Sequence, residues 1–180
     1  VMHSLTSQML RPERWLEWYA PGGHVDFSGS KLHDYNLGRY LYFIGLSIPV
    51  VGAWLCSYKT YLGQRNTDDN AYLAWTEDLG KKLMVAGGLF TLMCYALWMS
   101  TLPDNVKGFN VSAGAILGLV ATSVLVITPL VLPKKWLGYG AMMVSAVAML
   151  LIAIARESLR MATLHNTCNY SVFDYSVHFD

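Results

Sequence analysis

The chain has 180 residues, of which 54% are hydrophobic and only 14% charged, and its net charge is +1. A soluble domain carries nearer a quarter charged residues, so charge is missing where water would require it, and the expected class is an integral membrane protein. The near-neutral balance leaves no basic patch for phosphate and excludes nucleic acid as a partner.

Residues 1–38 cannot cross a membrane, because Arg11, Glu13, Arg14, Glu17, His24, Asp26, Lys31, His33 and Asp34 interrupt every apolar run. They read as an extramembrane apron. Within it, Pro12 to Tyr19 predicts a short helix with Pro12 in its first turn, and Trp15, Leu16, Trp18 and Tyr19 as an interfacial anchor. Pro21-Gly22-Gly23 ends that helix. The start is polar and aromatic rather than basic then apolar, so no cleavable signal is expected.

The first span is predicted over about 40–58, with Pro49 inside it and a kink near Ser47 to Pro49. Arg39 stands at its start. From Lys59 to Lys82 the chain holds Arg65, Asp68, Asp69, Glu77 and Asp78, which predicts a solvated connection with room for a short surface helix. The second span, about 83–102, closes on Pro103-Asp104-Asn105, a turn signal. The third, about 109–132, contains Gly114 and Gly118 one helical turn apart, a spacing that lets another helix approach closely, and Pro129 near its end. Pro133-Lys134-Lys135 then leaves only a short hairpin.

The fourth span opens at Trp136 and stays uncharged to Ala155, a stretch of roughly 30 Å at about 1.5 Å per residue, the thickness of a bilayer's hydrocarbon core. It runs to about 158 and carries Arg156, Glu157 and Arg160 at its end; residues 161–180 form an extramembrane tail. The expected fold is therefore all-α, an integral membrane four-helix bundle with an N-terminal interfacial segment. Four crossings put both termini on one side. Lys59, Arg65, Lys81, Lys82, Lys134 and Lys135 fall on the opposite side, so the positive-inside rule makes that side cytoplasmic and both termini periplasmic, in a bacterial inner membrane.

Metal and haem chemistry find little support in the spacing. Cys56, Cys94 and Cys168 form no CxxC or CxxCH, so neither a structural zinc nor a covalently attached haem is expected, and Cys56 and Cys94 read as small buried hydrophobes. No histidine lies in a span; His3, His24, His33, His165 and His178 are all in the apron or tail, where a solvated role is the simpler one. His3 and His165 are the two candidates for a haem ligand. The span methionines read as packing.

A quinone site asks for less: an apolar slot open to lipid, a carboxylate or histidine to take the quinol proton and a cation to hold the oxygens. Glu157 meets the first chemical requirement, as the catalytic carboxylate that accepts the proton, and Arg39, Arg156 and Arg160 the second, as quinone-binding groups. The plainer alternative is a snorkelling anchor with an internal ion pair. The spans lack the intramembrane acid or basic chain of an ion-coupled transporter, and no nucleophile elbow, phosphate loop or HExxH motif occurs.

Several short motifs resemble one bacterial family in the same order. They are Met9-Leu10-Arg11-Pro12-Glu13-Arg14-Trp15-Leu16, Pro21-Gly22-Gly23, Gly38-Arg39-Tyr40-Leu41-Tyr42-Phe43, Leu102-Pro103, and Arg156-Glu157 followed by Arg160. The chain resembles the later part of the cytochrome bd-like, quinol-dehydrogenating membrane subunits that work alongside multihaem c-type cytochromes. The resemblance implies a helical bundle passing quinol electrons to periplasmic cytochromes, with Arg39, Arg156, Glu157 and Arg160 near the quinol or haem edge. It also implies a lipid bilayer, other membrane subunits and c-type cytochromes as partners, and quinone and haem b as cofactors. One departure stands out: Tyr42 occupies the place of an expected histidine, so that haem b would be carried by a partner chain.

The expected function is thus a membrane subunit of a respiratory electron-transfer complex, not an enzyme alone. A purely structural assembly subunit and a small transporter module are the alternatives.

Overall fold

The computed structural model describes residue 8 and residues 11–28, 31, 33–65, 69–102 and 109–168. Among these residues there is no strand, and the helices are α1 (Trp15–Tyr19), α2 (Leu37–Gly45), α3 (Ser47–Gln64), α4 (Asn70–Ser100), α5 (Phe109–Val131) and α6 (Lys134–Cys168). Four helical stretches are long and apolar enough to cross a membrane: Leu37–Gln64, Asn70–Ser100, Ala113–Val131 and Lys134–Ala162. The chain is a multi-pass membrane protein folded as an all-α four-helix bundle. Its outward residues agree, since Leu89, Met93, Ile116, Leu130, Met143 and Leu150 are all exposed and apolar, a surface that suits lipid rather than water.

The first crossing is made of two pieces. Asn36 caps α2, its side-chain oxygen accepting from the Arg39 backbone N–H at 2.8 Å while its amide donates to Thr101 Oγ1 at 2.8 Å, so the start of α2 is fastened to the end of α4. The interruption falls at Leu46, ahead of the expected Ser47–Pro49 position. Pro49 sits in the first turn of α3, where its missing N–H leaves the Gly45 carbonyl without a helical donor. Beyond the interruption, α3 packs on both α4 and α6, whereas α2 packs chiefly on α4.

Glycine decides how closely α2 and α3 lie on α4. A Cβ at Gly38 would fall 2.9 Å from the Trp98 backbone nitrogen, one at Gly45 3.2 Å from the Phe90 ring, and one at Gly52 2.6 Å from the Gly80 carbonyl oxygen. These glycines recur every seven residues along the first crossing, and their partners run in the opposite order along α4. The contact is thus an antiparallel seam that meets backbone at Gly38 and Gly52 and side chains at Gly45, the geometry small residues permit where lipid offers no hydrophobic drive.

Two expectations about boundaries are revised. The connection from Lys59 to Lys82 is mostly helix: α3 continues to Gln64 and α4 starts at Asn70, capped by Asp69, whose carboxylate accepts from the Tyr72 N–H at 2.9 Å. Glu77 and Lys81, and Asp78 and Lys82, are spaced four apart and pair along the helix, while Lys59 reaches Glu77 from α3 at 2.7 Å. Charged residues here decorate helices that extend past the apolar slab. The final helix likewise runs on to Cys168, taking up the first part of the expected tail. The Pro103–Gly108 turn lies outside the described residues.

In the apron, Trp18 is buried rather than part of a surface anchor, its ring stacked on His33 with centroids 5.7 Å apart. Gln8 organises the segment: its amide donates to the His33 carbonyl at 3.0 Å, its carbonyl accepts from Trp15 Nε1 at 2.8 Å, and its side-chain oxygen accepts from the Tyr19 hydroxyl. Leu16, by contrast, is 80% exposed, and Trp15 and Tyr19 are exposed with it.

Candidate functional site

Where α2 begins and α6 nears its end, aromatic side chains from different helices converge. Tyr42 and Phe43 come from α2, and Tyr95 and Trp98, three apart on one face of α4, meet them. The Tyr42 ring lies 5.0 Å from Tyr95, 5.5 Å from Trp98 and 5.1 Å from Phe43, centroid to centroid, all in tilted or edge-on arrangements favoured by aromatic quadrupoles. With Gly118, Ile152, Ala155, Arg156 and Leu159 they line a crevice between α2 and α6 that is too narrow, as it stands, to admit a water molecule.

The two phenol hydroxyls point inward and are satisfied on α5. Tyr95 donates to the Ala115 carbonyl at 2.5 Å, and Tyr42 is hydrogen-bonded to Thr122 at 3.0 Å. Gly118 makes room for this, since a Cβ there would lie 2.8 Å from the Tyr95 oxygen. A Cβ at Gly114, one turn away, would instead lie 3.3 Å from the Ala155 carbonyl oxygen of α6. The expected close helix contact therefore belongs to Gly114, while Gly118 accommodates a hydroxyl.

The four polar residues expected to form the site divide into two groups. Arg156 forms part of the crevice wall, is exposed, and has no ion pair among the described residues. Arg39 is buried, its guanidinium carbon 5.7 Å from the centre of the Trp98 ring, a cation–π contact. Glu157 and Arg160 pair instead with one another at 2.8 Å, half exposed, and neither lines the crevice. The Arg160 Nε is buried without a hydrogen-bond partner among the described residues.

Compared with known proteins, the chain matches no family model, no curated protein and no solved structure.

His165 is exposed in the last turn of α6, and His3 lies outside the described residues. Among the described residues no three His, Cys, Asp or Glu side chains gather as a metal site would require. The residues that sequence reasoning missed are Phe43, Tyr95 and Trp98. Their signal was the pair of large aromatics three apart near the end of the second crossing, a spacing that places them together on one helix face.

Proposed function

We propose that this chain is a membrane subunit of a respiratory electron-transfer complex, one that contacts quinol at the rim holding Arg39 and Arg156. It passes electrons toward periplasmic c-type cytochromes or anchors the subunits that do. The observation that carries the reading is Arg156: an exposed cation without a carboxylate partner among the described residues, on the wall of an aromatic crevice, with a second guanidinium close behind Trp98. A quinol headgroup is a flat ring with two oxygens, so aromatic walls suit its faces and guanidinium N–H groups suit its oxygens. Entry requires side chains of the crevice to move, and the half-buried Phe43 is the one nearest that role.

On this reading Glu157 accepts the quinol proton from beside the crevice, with Arg160 holding its carboxylate. On this reading haem b is carried by a partner chain, since Tyr42 stands where the resembled family has a histidine. The distribution of lysine and arginine supports a bacterial inner membrane with both termini periplasmic. Replacing Glu157→Gln or Arg156→Gln in the assembled complex is expected to slow quinol oxidation while the subunits still co-purify; unchanged turnover in both would sink the reading.

The tightness of the crevice favours a second reading, a structural assembly subunit with no redox role, in which the aromatic cluster only knits α2 to α4. The subunits and haems that co-purify with the chain, together with a redox difference spectrum of the chain alone, separate the two.

A further inference from the structure

We propose that the turn between α5 and α6 binds an anionic phospholipid, its phosphate held by Lys134 and Lys135 and its acyl chains lying against the end of α5. Five lysines stand at this end of the bundle. Lys59 and Lys81 share Glu77 at 2.7 and 2.5 Å, and Lys82 has Asp78 at 2.6 Å. Lys134 and Lys135 are exposed and have no carboxylate within ion-pair distance among the described residues. They also occupy the first turn of α6, which holds no acid, so two positive charges face the positive end of the helix dipole. That placement is unfavourable unless an anion offsets it.

The surroundings identify which anion. Leu130 and Val131, immediately before the turn, are 69% and 70% exposed, and Trp136, immediately after the lysines, is 63% exposed. A free phosphate gains nothing from an apolar flank, whereas a phospholipid places acyl chains against it and sets an indole at headgroup depth. Tyr139 fixes the neighbouring turn of α6 by donating to Gln64 Oε1 at 3.1 Å, so the lysines project from a fastened element.

The test is to reconstitute the full chain in vesicles of equal phosphatidylglycerol and phosphatidylcholine, extract it in mild detergent, and measure the retained phospholipids by mass spectrometry. The native chain is expected to retain phosphatidylglycerol preferentially. At about 5-fold per lysine near an anionic surface, Lys134→Gln with Lys135→Gln should cut that preference roughly tenfold or more. Lys82→Gln, whose charge is already matched, should leave it unchanged, and the double Arg replacement should preserve it, which guards against a folding artefact. Equal retention of the two lipids by the native chain, no loss in the double Gln variant, or displacement of the lipid by millimolar inorganic phosphate would each overturn the proposal.

Discussion

The Tyr42 hydroxyl lies 3.0 Å from Thr122 Oγ1, and Thr122 in turn donates to the Gly118 carbonyl at 2.7 Å. A threonine hydroxyl has one proton, so Tyr42 must be the donor in the first bond. The pair ties α2 to α5 across the crevice, through a side chain only 1% exposed.

Tyr42→Phe should therefore cost little, about 0.5–1.5 kcal/mol, because Thr122 keeps its own acceptor and the ring stays in place. Tyr42→Ala should cost roughly 3–5 kcal/mol by emptying the centre of the aromatic cluster. Reversible unfolding in mixed detergent micelles measures both. Equal losses would show that the hydroxyl, not the packing, holds this part of the bundle.

Gly52→Ala places a methyl group 2.6 Å from the Gly80 carbonyl oxygen, a backbone atom that cannot rotate away. The helices must separate, and a loss of about 1–3 kcal/mol is expected. Gly63→Ala is the internal control: nothing lies within 4 Å of its added Cβ, and alanine favours the helix, so stability should hold or rise by up to about 1 kcal/mol. Matching effects at the two sites would contradict the close seam.

Glu77 serves two lysines with a side chain 15% exposed, whereas the Asp78–Lys82 side chains are 60% and 71% exposed. Glu77→Gln should destabilise by about 1–3 kcal/mol, below the range for a fully buried pair because Lys59 and Lys81 remain partly solvated. Asp78→Asn should change stability by less than about 1 kcal/mol. A double-mutant cycle with Lys59 isolates the contribution that crosses from α3 to α4.

In the apron, Arg14 donates to Glu17 at 3.2 and 3.3 Å, and this hydrogen-bonded contact holds the Glu17 carboxyl below the usual glutamate range. A depressed folded-state pKa gives a contribution present above the unfolded value and lost as pH falls through the folded one. A carboxyl titration followed by NMR should find Glu17 low in the native chain and restored toward its ordinary range in Arg14→Gln. An unmoved midpoint would mean that the pair does not persist in solution.

The charge pattern from Lys59 to Lys82 shows how a composition argument misplaces a boundary. Ionisable residues there suggested a solvated connection, yet Glu77-Lys81 and Asp78-Lys82 were already spaced to pair along a helix, and Asp69 was placed to cap it. The glycines at 38, 45 and 52 were similarly visible as a seven-residue repeat, but the repeat does not say which helix fills the space beside it. Gly114 and Gly118 carry the same lesson, since one meets a helix backbone and the other a phenol oxygen.

Apolar length determined the four crossings, because twenty-odd residues without charge have one stable environment, and the placement of Arg39, Arg156, Glu157 and Arg160 at one end followed from counting crossings. Tertiary structure alone decided which faces meet. In a soluble helix, polar residues mark the outside; here lipid is as apolar as the core, so the helices are hydrophobic nearly all round and their sequence does not tell inward from outward. For the same reason Arg156 and Glu157, neighbours in the chain but about 100° apart around α6, end at different places: one on the crevice wall, the other paired with Arg160 outside it.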